Sequence, residues 1–423
     1  MMRTHPYLDG HELRDGKLWV NGEHRFLKTG KPLRNYGDAD EVESIIEELP
    51  IIASKGYDNL ALNCYWHHLN PTGDGQIEKS VEPLSRLIQA IHDHGMYTSL
   101  SVETYGVGGG QIPAGFWEAH PESIAINHEG KVVRDTEYGY NSAVPSLFSK
   151  AYLEASRRYM TNIVSALGAE NFLYVETTVE PQYMGAQWLD FSDEAKAAYE
   201  KWLAENSRPE ALPFPEEFPA IPEFLHSTAW NCFRANALAE WVNEDARALR
   251  AGAYDGGHLW IASDYLDAEE KTMPQRCGDP VELLRNMSET DIVQINWSWC
   301  NVNRRPNKKA YERVRQVMKE TGRDWVITEH MTINGSDYYE NEMVELLENT
   351  LQNSTRFGWE FVDIAADRDD PSTKPNQVIP GDFKPQHFSV YDANWNPKPP
   401  MQVVESTWDE WMEKVKAPSV ITS

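Results

Sequence analysis

No stretch of the chain stays apolar for the roughly 20 residues that a bilayer span requires. The opening Met1-Met2-Arg3-Thr4-His5-Pro6 has no charged region leading into an apolar core, so no signal peptide is expected and a cytoplasmic location is favoured. Cysteine is scarce: Cys64, Cys232, Cys277 and Cys300 form no CxxC or other close pair, which argues against a zinc knuckle and demands no oxidising compartment. Positive charge is scarce too. With 39 Lys+Arg against 66 Asp+Glu the net charge is −27 and no basic stripe offsets it, so a nucleic-acid partner would be repelled.

What is abundant is chain and aromatics. The 423 residues, 41 % hydrophobic and 25 % charged, have an ordinary globular composition. Fifteen Trp and nineteen Tyr are present, many beside polar residues at expected strand ends, where sugar rings could stack on them.

Short β-branched or aromatic runs alternate with helical periodicity. Strands are expected at His24 to Leu33, Tyr57 to Tyr65, Met96 to Thr104, Asn171 to Thr178, His258 to Ser263, Asp291 to Trp297, Asp324 to Thr328 and Phe357 to Ile364. Val42, Ile45, Ile46, Leu49 and Ile52 mark the helix after the first strand, and Val81, Leu84, Leu87, Ile88 and Ile91 the helix after the second. A helix over Met401 to Val415 closes the pattern. A doubly wound open sheet would want a Gly-rich turn running from strand one into a helix, and Gly30-Lys31-Pro32 is not one. The glycines at 106 and 108–110 lead into Pro113 and loop rather than a helix N-terminus, so they do not point to phosphate. The fold class is therefore α/β, a single (β/α)8 TIM barrel over 1–423 with long βα loop insertions at about 105–146 and 184–222.

Barrel active sites lie at the C-terminal strand ends. Those ends present Arg34; Asn63, Trp66 and His67; Glu103 and Tyr105; Glu176 and Glu180; Asp264 and Tyr265; Asn296, Trp297 and Trp299; Glu329 and His330; and Trp359, Glu360 and Asp363. On strand seven, alternation groups Trp325, Ile327 and Glu329 on one face, taken as the inner one, with Val326 and Thr328 against the helices. On strand four the inner set is Phe172, Tyr174, Glu176, Thr178 and Glu180, with Glu176 the deeper acid. Two carboxylates across an aromatic cleft are what glycosidic cleavage requires: one donates a proton, the other attacks the anomeric carbon or activates water. Acids at strand ends also make structural ion pairs, so both readings stand at this point. A catalytic metal would need His, Asp and Glu ligands from several strands; the adjacent His67 and His68 point to opposite faces, and neither metal nor cofactor is expected.

Val175-Glu176-Thr177-Thr178-Val179-Glu180-Pro181 resembles the strand-four motif of clan A retaining glycoside hydrolases, including the family 5-like form, in which an Asn-Glu pair ends the strand. Trp325-Val326-Ile327-Thr328-Glu329 resembles the clan's strand-seven motif. Tyr65-Trp66 through Pro71 and Gly75, and the segment Pro113 to Gly130, resemble family 42 and family 35 β-galactosidases, as do the helices at Phe191 to Trp202 and Phe224 to Trp241 and the tail Tyr391-Asp392 through Pro399. The resemblance implies a retaining β-glycosidase, with Glu180 as acid/base and Glu329 as nucleophile, the two carboxyl groups about 5–5.5 Å apart. It implies Arg34 orienting Glu329, a sugar platform of Trp66, Trp297, Trp299 and Trp359, and hydroxyl partners among Glu103, Tyr105, Tyr265, His330 and Glu360. Two departures stand out. Val179 occupies the place of the clan's Asn, whose contact with the sugar 2-hydroxyl would pass to Asn63, Asn296 or His67, or the sugar would differ at C2 as in mannose. The family 42 cysteine cluster for zinc is also missing. The expected partner is thus a carbohydrate substrate, neither nucleic acid nor membrane, with a homo-oligomer left open. The long loops favour exo over endo action. The competing readings are a β-mannosidase or endo-acting clan A glycanase and, from another class, a non-catalytic carbohydrate-binding barrel.

Overall fold

A computed structural model describes residues 2–105, 112–135, 142–177, 179–183, 187–253, 255–266, 272–296, 308–331, 357–362, 364 and 390–416. The expected positions Trp297, Trp299 and Asp363 lie outside them, as do the side chains of Asn296 and His330.

The chain begins with a four-stranded antiparallel sheet: β1 (Arg3–Thr4), β2 (His11–Arg14), β3 (Lys17–Val20) and β4 (Glu23–Arg25). Its two tight turns, β2 to β3 and β3 to β4, are Asp15-Gly16 and Asn21-Gly22, all four residues at positive φ (55°, 69°, 51° and 81°). That is the backbone a two-residue turn needs to match strand twist, and Asp-Gly and Asn-Gly are the dipeptides that adopt it most readily. The expected first strand therefore splits: His24 belongs to this sheet, and the barrel strand is β5 (Leu27–Lys31).

After β5 come α1 (Ala39–Ser54), β6 (Asn59–Tyr65), α2 (Trp66–Leu69), α3 (Glu82–Asp93), β7 (Tyr97–Glu103), α4 (Ala114–Ala119), β8 (Arg134–Asp135), β9 (Ser142–Ala143), α5 (Lys150–Leu167) and β10 (Val175–Glu176). Then follow α6 (Asp193–Asn206), α7 (Pro222–Leu225), α8 (Thr228–Ala251), β11 (Ile261–Leu266), α9 (Met273–Cys277), α10 (Pro280–Asn286), β12 (Ile292–Asn296), α11 (Lys308–Thr321), β13 (Val326–Met331), β14 (Gly358–Val362) and a C-terminal helix, Pro399–Lys416. Strands β5, β6, β7, β10, β11, β12, β13 and β14 pair in parallel and close into an eight-stranded barrel, so the expected fold class holds.

Local chemistry explains the helices. Asp38 caps α1 by accepting from the amides of Asp40 and Glu41, and Val42, Ile45, Leu49 and Ile52 form its buried stripe. Ser149 caps α5, which ends at Gly168 with φ 81°.

The antiparallel sheet covers the N-terminal end of the barrel. Leu13 and Leu18 pack in one cluster with Leu27, Tyr174, Trp260, Ala262, Ile292, Val326 and Phe357. Arg3 ties the sheet to the barrel wall through Asp291, at 2.8 Å, and the carbonyl of Asp324. At the opposite end the two long insertions are joined to each other. Phe191 N donates to Ile126 O at 2.9 Å and Ala220 N to His128 O at 2.7 Å, and Phe191, Phe214, Phe224, Trp230 and Phe233 form an aromatic cluster of their own.

Candidate active site

The inward face of each barrel strand follows from the floor cluster. Ala262 on β11, Ile292 on β12 and Val326 on β13 belong to it, so Asp264, Gln294 and Thr328, two residues further along and mutually in register, also face inward. Above the floor, Asn59 Nδ2 donates to Thr29 Oγ1 at 3.2 Å and to Ser99 Oγ at 3.0 Å. Next comes a buried ion cluster. Lys31 Nζ lies 2.6 Å from Glu176 Oε2 and 3.0 Å from Glu360 Oε1, all three side chains being at most 1 % exposed. Gln294 Nε2 also donates to Glu360 Oε2 at 3.3 Å.

Glu103, Glu180 and Asp264 stand beyond Glu176 toward the mouth. Glu103 accepts from Ser101 Oγ at 3.2 Å and from Val179 N at 3.2 Å. Glu180 is 3 % exposed and has a left-handed backbone, φ 50°, uncommon for a residue with a side chain. Its amide is held by Asp264 Oδ2 at 3.0 Å, and its Oε2 accepts from Gln182 Nε2 at 3.3 Å. Non-glycine residues in this region concentrate where a site fixes a side chain against local preference. Asn63 Nδ2 donates to Tyr65 Oη at 2.9 Å, while its buried Oδ1 has no hydrogen-bond partner among the described residues. His67 stacks on Tyr65 with ring centroids 5.8 Å apart.

These carboxyls are electrostatically unusual. Burial, and then the charge of Glu360, push Glu176 up to about 7 against the pull of Lys31. Burial likewise pushes Glu103 up to about 7, opposed by Lys31 and the Val179 amide. Away from the site, burial takes Asp245 to about 7 despite Arg157. Burial alone would lower Lys31, but Glu176, Glu360 and Glu103 together raise it well above its ordinary value. The native state holds the protons of Glu103, Glu176 and Asp245 more tightly than an unfolded chain does. Their contribution to stability is therefore complete below the ordinary carboxylate range and is lost as pH rises through about 7. Burial lowers His5 to about 4 and His68 to about 2, which pulls the other way below the ordinary histidine range. The melting temperature is therefore expected to fall between about pH 6.5 and about pH 8, and a rising profile over that window in a thermal scan would contradict this electrostatic picture.

Several expected site residues are elsewhere. Glu329 stands in register between Ile295 and Trp359, both members of the outer cluster that also holds Trp325, Ile327 and the α11 residues Tyr311 and Val314. It is fully buried and accepts a hydrogen bond from Tyr311 Oη. The inner face of β13 is thus Val326 and Thr328, the reverse of the expected assignment, and Glu329 faces the helices. Arg34 does not orient it: its guanidinium lies 3.4 Å from Glu48 and 3.8 Å from Glu41, both of α1. Trp66 is core, on α2 against Tyr159 and Phe116 with Nε1 donating to Asn70 at 2.8 Å. Trp359 packs outside the barrel on Trp411, ring centroids 4.4 Å apart, and Tyr105 on Trp241 at 5.0 Å. Tyr265 belongs to the outer cluster with Ile261. Trp66 and Trp359 are therefore not part of the expected sugar platform, and Tyr105 and Tyr265 pack away from the barrel mouth rather than standing as hydroxyl partners. The structure brings together Asn63, Glu103, Glu176, Glu180, Asp264 and Glu360 from the strand ends expected at the mouth and adds Lys31 and Gln182. Lys31 had a signal in the sequence, a lysine at the end of a strand enclosed on both faces, where a charge must find a partner.

Residues 41–212 match the family model of glycoside hydrolase family 42, described as β-galactosidase. None of the curated proteins matches the chain. Among solved structures it is similar to the β-galactosidase of the psychrophilic Marinomonas ef1, with TM-score 0.65 and 14 % identity over 93 % of this chain and 62 % of that one. It is similar also to the β-galactosidase of the Antarctic haloarchaeon Halorubrum lacusprofundi, with TM-score 0.64 and 14 % identity over 92 % and 58 %. The catalytic domain of the β-amylase of Paenibacillus polymyxa gives 0.59 and 11 % over 84 % and 98 %. The chain spans less than two thirds of the length of either β-galactosidase, and at these identities the likeness is one of fold. The chain thus folds as a (β/α)8 barrel like those solved structures, and its residues 41–212 resemble the glycoside hydrolase family 42 model.

Proposed function

We propose that the chain is a retaining β-glycosidase, β-galactosidase-like and exo-acting, that cleaves its carbohydrate substrate at the C-terminal mouth of the barrel with Glu180 as proton donor. The observation that carries this reading is the placement of Glu180: buried at the mouth, on a left-handed backbone pinned by Asp264, with its carboxylate held by Gln182. The family 42 match over 41–212 supports the substrate class. Double displacement needs a second carboxylate facing the same anomeric carbon. Glu329, turned toward α11, does not supply it; the second acid comes from the inward ring of Glu103, Glu176, Asp264 and Glu360. Asn63 Oδ1 offers an acceptor for a sugar hydroxyl, the contact that Val179 cannot make.

Nitrophenyl β-galactoside, β-glucoside and β-mannoside, with the product anomer followed by NMR, test the reading. Turnover of the galactoside with retained configuration is expected. Glu329→Gln is expected to keep kcat within about tenfold of the parent, whereas loss of a catalytic carboxylate costs far more. Collapse of turnover in that variant with an unchanged melting temperature would return Glu329 to the reacting pair. Sugar binding without hydrolysis by the parent chain would favour the carbohydrate-binding reading.

A further inference from the structure

Glu180 is approached from α9 by a chain of hydrogen bonds that ends on a cation. Gln182, fully buried, accepts a hydrogen bond from Arg276 Nη1 on its Oε1 and donates from its Nε2 to Glu180 Oε2. A guanidinium has only donors. It therefore dictates which way the Gln182 amide faces, and the NH2 must turn to Glu180.

The Arg276 end is itself firmly held. Its carbonyl accepts from Tyr183 N at 2.7 Å. The two residues before it, Pro274 and Gln275, give their carbonyls to Arg234, whose Nε also donates to Leu189 O at 2.5 Å. Arg234 is fully buried, its guanidinium 4.2 Å from the ring centroid of Tyr183. One arginine on α8 thus clamps the turn that carries Arg276 to the segment that follows Glu180.

We propose that Arg276 and Gln182 are positioning residues for Glu180: Arg276 fixes the Gln182 amide, and the amide fixes the Glu180 carboxylate and sets the pH at which it gives up its proton. The inference rests on Glu180 being the proton donor. An N–H donated to a carboxylate favours its ionised form, and a neighbouring like charge disfavours it. Among the described residues, the charged groups around Glu180 include Asp264 from β11, Glu103 from β7 by way of Val179, and Arg276 from α9, with Lys31, Glu176 and Glu360 beneath.

The test is the pH profile of kcat/KM for an aryl β-galactoside, measured on the full chain. A proton donor must be protonated in the free enzyme, so its ionisation sets the alkaline limb. Gln182→Glu removes the donor and places a carboxylate beside Glu180; the alkaline limb is expected to move up by about one pH unit. Arg276→Leu frees the amide to turn and is expected to move the limb the same way by less, and Arg276→Lys, which still donates to Gln182, to restore it. Should Gln182→Glu fail to fold by its melting curve, Gln182→Met, close in size and without the donor, is expected to shift the limb upward in its place. An alkaline limb that stays put in folded Gln182 and Arg276→Leu variants overturns the proposal. Failure of the underlying reading shows separately: Glu180→Gln would then leave both the limb and the leaving-group dependence as in the parent.

Discussion

Glu180→Ala is expected to lower kcat/KM by about 10³-fold on β-glycosides whose leaving alcohol is poor, because general-acid assistance is worth about 10²–10⁴. Substrates with a strongly activated nitrophenol should be cleaved with a much smaller loss, since that leaving group departs without a proton. The second step, in which the same carboxylate would activate water, becomes slow. Azide needs no general base, so it should restore turnover and yield a glycosyl azide of retained configuration. Equal losses across leaving groups with no azide effect would remove Glu180 from the reaction. This outcome is distinct from a folding defect, which a melting curve reports.

The second large effect concerns the floor of the site. Lys31→Met leaves Glu176 and Glu360 facing each other without the lysine's charge, both side chains at most 1 % exposed. Breaking a buried ion pair by removing one partner typically costs about 3–5 kcal/mol, because the remaining charge stays uncompensated. The melting temperature at about pH 8 should fall accordingly, and the deficit should shrink toward about pH 5 as the carboxyls take up protons. Adding Glu176→Gln and Glu360→Gln to Lys31→Met should recover most of the loss, since neutral groups need no counter-charge. A variant as stable as the parent at both pH values would mean that the cluster is not ionised as described.

The barrel was legible because periodicities of two and 3.6 alternate along the chain, and the stripes of α1 and α3 fall where the spacing of Val42 to Ile52 and Leu84 to Ile91 puts them. Which face of a strand looks inward was not. In a parallel barrel both faces are buried, so polarity does not separate them. At β13 the larger Ile327, like Trp325 just before the strand, meets the helices while Val326 fills the narrow interior, and taking the bulky pair as inner turned Glu329 the wrong way. The same ambiguity put Tyr265 and Trp359 at the site instead of the outer layer. The N-terminal sheet, in contrast, had a signal in plain view in the Asp15-Gly16 and Asn21-Gly22 turns. Gln182 and Arg276 lie 94 positions apart, one on a loop and one on α9, which only the closed barrel brings together, and no local pattern marks them.

The antiparallel sheet at the barrel's base also bears on how the chain is made. Leu13 and Leu18 find their partners partly on Ile292, Val326 and Phe357, and Arg3 reaches Asp291 across 288 positions. During synthesis the first hairpins leave the ribosome long before those partners do, with their greasy side unclaimed. Contacts of such long sequence separation are expected to form late in folding, so the sheet should dock fully only when the last strands close the ring.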